Sequence, residues 1–90
     1  MKHRSDIAAA REGDVVIAQN GSLGRIERIV RPEPQGAVYL VVAAGRMLRR
    51  RYPVLSGSLV TTVDSSRRRV HVRGRRELLE RLPETLPLVH

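Results

Sequence analysis

The chain has no cysteine, no phenylalanine and no tryptophan, and its only aromatic residues are Tyr39 and Tyr52. The absence of cysteine excludes a disulfide framework and any thiolate zinc site, and it fits a reducing cytosol. Without Phe and Trp the interior must be filled by Val, Leu, Ile and Ala. Valine dominates the central stretches, which favours a sheet over a helix bundle. The shortage of aromatics also argues against a base-stacking platform for single-stranded nucleic acid. Long hydrophobic runs are missing too: the longest, residues 37–44, is far below the ~20 residues of a spanning helix. Met1-Lys2-His3-Arg4 leads directly into Ser5-Asp6, without the apolar core of a signal peptide. These features lead us to expect a soluble, cytoplasmic protein, and 90 residues make a single small domain.

Charge of one sign is abundant but unevenly placed. Residues 46–81 hold eleven arginines against Asp64, Glu77 and Glu80, which accounts for the whole net charge of +8. Such an excess can paint one side of a small fold and attract polyanions. The ratio of sixteen Arg to one Lys is equally what an arginine-biased genome would produce with no ligand involved.

Along the chain, residues 1–11 lack sustained periodicity and read as an arm, with a helical turn near Ile7. Val15-Val16-Ile17-Ala18 is a short β-branched strand ended by the Asn20-Gly21 turn signal. A returning strand covers residues 23–31; its period slips between Ile26 and Ile29, which predicts a bulge. Pro32 and Pro34 open a polar connection to Gly36. Residues 37–44 are apolar on both parities, as in a strand covered on both faces. Residues 47–52 alternate loosely before Pro53, in the manner of an edge strand or a strand end. Strands follow over residues 59–63 and 67–73. In the second of these Val70 and Val72 face inward while Arg69, His71 and Arg73 face outward. Gly74 breaks the strand, and residues 75–82 predict a two-turn helix with Leu78, Leu79 and Leu82 on one stripe, stopped by Pro83. The expected fold is mainly β: a small antiparallel barrel of about six strands with a short C-terminal helix. The domain occupies residues 12–83, between the arm and a tail at 84–90.

The order of these features resembles a known family. Gly13-Asp14-Val15-Val16 leads through Asn20-Gly21-Ser22-Leu23-Gly24-Arg25-Ile26 to Tyr39-Leu40-Val41-Val42, then Arg51-Tyr52-Pro53 and Leu59-Val60-Thr61-Thr62-Val63-Asp64. Arg67-Arg68-Arg69-Val70-His71-Val72 and Leu82-Pro83 close the pattern. This is similar to the PRC-barrel family, the small β-barrel of the photosynthetic reaction centre H subunit and of the C-terminal half of the ribosome maturation factor RimM. The resemblance implies a six-stranded barrel that docks proteins or ribosomal particles and carries no catalytic residues. Gly21 and Gly24 would then serve the first hairpin by positive φ or close backbone approach. Ile26, Val38, Leu40, Val42, Val63, Val70 and Val72 would fill the barrel.

Candidates for chemistry are few. His3 and His90 lie in the ends, and His71 stands alone on an arginine-rich face. No spacing suits a metal, and we expect no cofactor. Glu77 and Glu80, beside Arg76 and Arg81, suit a helix surface. A small hydrolase using Ser56 or His71 is the competing class, but no paired base is evident, so we expect a binding module and no enzyme.

Two surfaces remain as interaction candidates. Arg49, Arg50, Arg51, Arg67, Arg69, Arg73, Arg75 and Arg76 would form a basic patch for an acidic protein or a ribonucleoprotein. The alternative is backbone-driven, sequence-tolerant RNA or DNA binding. Tyr39, Val41 and Ala43 give the central strand an apolar outward face, to be covered by the helix leucines or by a second copy in a homodimer.

Overall fold

The computed structural model describes residues 7–33 and 36–86. Six strands form one sheet: β1 (Val15–Ala18), β2 (Gly21–Val30), β3 (Tyr39–Ala44), β4 (Val54–Ser56), β5 (Val60–Asp64) and β6 (Arg69–Val72), in the order β4-β3-β2-β1-β6-β5. A single helical turn, α1 (Arg76–Leu79), follows. Neighbouring strands are antiparallel except β1 and β6, which run parallel with Val16 opposite Val70. The expectation of a purely antiparallel sheet is corrected here. The whole domain separates β1 from β6 in sequence, so no short hairpin constrains their direction.

The sheet curls into a half-barrel. Ten-residue β2 pairs with β1 through its first half and with β3 from Gly24 onward. Between these halves the β3 register skips Glu27, so the slip seen between Ile26 and Ile29 is a bulge, which adds twist and bends the strand. Gly24 sits at a close approach of β2 and β3: a Cβ there would stand 2.0 Å from the carbonyl oxygen of Ala43. The two edge strands, β4 and β5, are consecutive in the chain, with only the 3-10 turn Gly57–Leu59 between them. The Gly57 amide donates to Val38 O (2.6 Å) and Leu59 O accepts from Arg73 N (2.8 Å). One short corner therefore ties both edges of the sheet together.

The concave face holds the core. Val16, Leu40, Val42, Leu55 and Val70 are fully buried, joined by Ala18, Leu23, Ile26, Ala44, Val60 and Val72. Of the expected filling residues, Val38 and Val63 are half-buried and the others buried. Val70 and Val72 face inward while Arg69 and Arg73 are exposed, as the alternation predicted. The fourth strand differs from expectation. Residues 47–52 hold a 3-10 turn, Met47–Arg49, and an isolated bridge from Arg51 to Ala44, and the strand begins only after Pro53. Arg49, Arg50 and Arg51 have no apolar residue between them to alternate inward, so Arg49 and Arg50 stay in water and only Arg51 bridges back to the sheet. The helix is shorter than expected, although Arg81 and Leu82 continue it with two i→i+3 bonds. Leu79 enters the main core and Leu82 packs against it, while Leu78 is 63% exposed. The helix thus closes the inner side of the curl instead of lying on the outer face of β3.

A candidate docking surface

The reversal after β3 builds a basic concavity. Gly45, at φ +82°, lets the chain turn back where a Cβ would meet Arg49 O at 2.5 Å. Arg49 N then donates to Arg46 O (2.8 Å), closing the 3-10 turn. Ala44 and Arg51 exchange both backbone hydrogen bonds (2.8 and 2.9 Å) at the base. Pinched there, residues 45–50 stand out as a loop that presents Arg46, Leu48, Arg49 and Arg50 to solvent. Opposite the loop lie Ser22, Leu23 and Gly24 of β2, Arg76 of α1, and Glu80 and Glu84, which complete an open concavity.

The charges of this surface are unequal. Arg51 is committed: its Nε donates to Glu80 O (2.9 Å) and its Nη2 lies 3.6 Å from Glu84 Oε2. Glu84 also accepts from the Tyr52 amide (3.1 Å), and Pro83 O accepts from Val54 N (2.9 Å), so the segment after the helix is laced along β4. Arg46, Arg49, Arg50 and Arg76 have no carboxylate partner among the described residues. Leu48 stands in their midst at 97% exposure.

The remaining expected arginines do not line this concavity. Arg67 lies in the turn after β5, 3.9 Å from Asp64. The Ser66 hydroxyl (2.7 Å), with the Arg67 amide and charge, holds Asp64 below the usual carboxylate range. Arg69 points outward from β6, Arg73 Nη2 donates to Ser58 O (3.0 Å), and Arg75 Nε lies 3.6 Å from Glu77. Glu77 is lowered first by its own amide, then by Asn20 and the nearby arginines. On the outer face of β3, Val41 is buried between its cross-strand neighbours Arg28 and Val54, with Tyr39 and Ala43 half-buried. His71 sits half-buried in β6, and the Ser56 hydroxyl accepts from Ser58 N (3.2 Å), capping the corner turn. His3 and His90 lie outside the described residues.

Sequence reasoning missed the ion pair between Arg68 and Asp14. Asp14 is fully buried; its Oδ1 accepts from Arg68 Nε and its Oδ2 from the Arg11 amide (3.0 Å). Arg68 Nη2 also donates to Glu12 O (3.1 Å). No local pattern in the sequence marked the pair: Arg68 lies in the turn before β6, its side chain is 59% exposed, and Asp14 stands 54 positions away.

Compared with known proteins, the chain matches no protein-family model, and no curated protein is detectably similar to it. No helix among the described residues is long and apolar enough to cross a membrane.

Proposed function

We propose that this chain is a non-enzymatic docking module of the PRC-barrel type, binding an acidic protein or a ribonucleoprotein through the concavity between the 45–50 loop and α1. One observation carries this reading: Arg46, Arg49, Arg50 and Arg76 line one concavity, and none of them is in an ion pair among the described residues. Gathered guanidiniums repel one another, and an anionic partner relieves that repulsion while accepting forked hydrogen bonds. The loop is pinned at its base by the Ala44 and Arg51 bonds, so less conformational freedom is lost on binding. The family reading rests on the order and spacing of the sequence motifs from Gly13-Asp14 to Leu82-Pro83.

The test is affinity capture with three forms of the chain: native, Arg49→Gln/Arg50→Gln/Arg76→Gln, and Arg67→Gln/Arg69→Gln as a charge-removal control. A partner lost only with the first variant and resistant to nuclease supports an acidic protein. One released by nuclease supports an RNA-bridged or ribonucleoprotein partner. Equal loss with both variants would refute the concavity as the site.

A further inference from the structure

Leu48 is the most exposed large apolar side chain among the described residues, at 97%, and the arginine loop holds it away from the core. A leucine in that position gains nothing in water. On this surface it is an apolar centre with a rim of arginines, and arginine is among the residues enriched where binding energy concentrates in protein interfaces.

We propose that the concavity takes an acidic peptide segment bearing an apolar side chain, with its carboxylates on Arg46, Arg49, Arg50 and Arg76 and its apolar residue against Leu48. This inference rests on the docking reading and names its partner chemistry. Leu48 favours a peptide over a polyphosphate, and the carboxylates of the concavity favour it over a polyphosphate and a bilayer alike. Phosphate backbones have no use for an aliphatic centre, since their affinity comes from charge. The concavity also contains Glu80 and Glu84, which repel a uniformly anionic polymer or membrane but can be avoided by carboxylates placed one at a time. The chain supplies its own precedent. Glu84, on the segment after the helix, already binds at this surface through the Arg51 guanidinium and the Tyr52 amide.

Fluorescence anisotropy with four labelled probes tests the proposal: a short peptide of alternating Glu and Ser, the same peptide with two central serines changed to leucine, single-stranded oligouridylate, and phosphatidylglycerol vesicles. The leucine peptide is expected to bind about tenfold more tightly than its serine counterpart, as expected for burying one or two apolar side chains. Leu48→Ala should erase that gain and leave the Glu/Ser peptide unchanged, whereas Arg49→Gln/Arg50→Gln should weaken both. Because Leu48 is exposed, its variant should keep the native melting temperature. A leucine gain that survives in Leu48→Ala overturns the inference while leaving the docking reading intact, as does tighter binding of oligouridylate or vesicles. Failure of every anionic probe to bind would overturn both.

Discussion

Arg68 reaches back 54 positions to donate from Nε to the buried carboxylate of Asp14, joining the turn before β6 to the loop before β1. The parallel pairing of these strands depends on it locally: the Val15 amide donates to Arg68 O (2.9 Å), so one residue supplies both a backbone and a side-chain link. Arg68 adopts φ +57°, a left-handed conformation that side chains other than Gly, Asn and Asp seldom take. The ion pair and the tight turn together offset that cost.

Arg68→Ala should therefore destabilise the domain by about 1–3 kcal/mol, because it strands a carboxylate that has left water. Asp14→Ala should cost more, since the Arg11 amide loses its acceptor as well. Urea denaturation checks both, as a lower midpoint at unchanged slope. An unchanged midpoint for Arg68→Ala would show that solvent replaces the guanidinium without loss.

Gly24→Ala is expected to force β2 and β3 apart, since its Cβ would stand 2.0 Å from a backbone oxygen that cannot rotate away. Overpacking of this kind costs about 1–3 kcal/mol or more. In a domain of this size each kcal/mol lowers the melting temperature by about 4–8 °C. A thermal melt with no downward shift would contradict the close approach.

Val70 has no exposed surface. Val70→Asp should abolish cooperative unfolding, because an unpaired charge in the core is strongly unfavourable. Arg69→Gln, one residue earlier and exposed, should leave the melt unchanged. Near-ultraviolet circular dichroism and a thermal scan separate the two outcomes.

Asn20 clamps the start of the helix from the tip of the first hairpin: its Oδ1 accepts from Arg76 N (2.7 Å) and its Nδ2 donates to both carboxylate oxygens of Glu77 (3.1 and 2.9 Å). Asn20→Ala should cost about 0.5–2 kcal/mol, as for other lost helix caps. The pH dependence has a definite sign. Glu77 is lowered in the folded state, first by its own amide and then by Asn20, so its stabilising contribution is complete above the ordinary value of 4.5 and is lost as pH falls through the folded value. Asp64 behaves alike from 3.8 downward, through Ser66 and then Arg67. Glu77→Gln should remove part of the acid-side slope of stability, measured by urea titration across that range. A variant with the same slope as the native chain would rule out the contribution.

The sequence by itself determined the β class, the bulge in the second strand, the inward set of Val70 and Val72, and the position of the helical turn. Each of these follows from periodicity or turn chemistry among neighbouring residues. Only the tertiary structure decided that β1 and β6 run parallel, that Leu79 fills the inner core, and that Arg68 belongs to Asp14. It also separated the arginines: Arg46, Arg49, Arg50 and Arg76 meet across a concavity, while Arg67, Arg73 and Arg75 lie against Asp64, Ser58 and Glu77. A run of like charges looks uniform in sequence because period and composition register only which face a residue takes. Which carboxylate or carbonyl waits there depends on residues dozens of positions away, brought near only when the sheet curls.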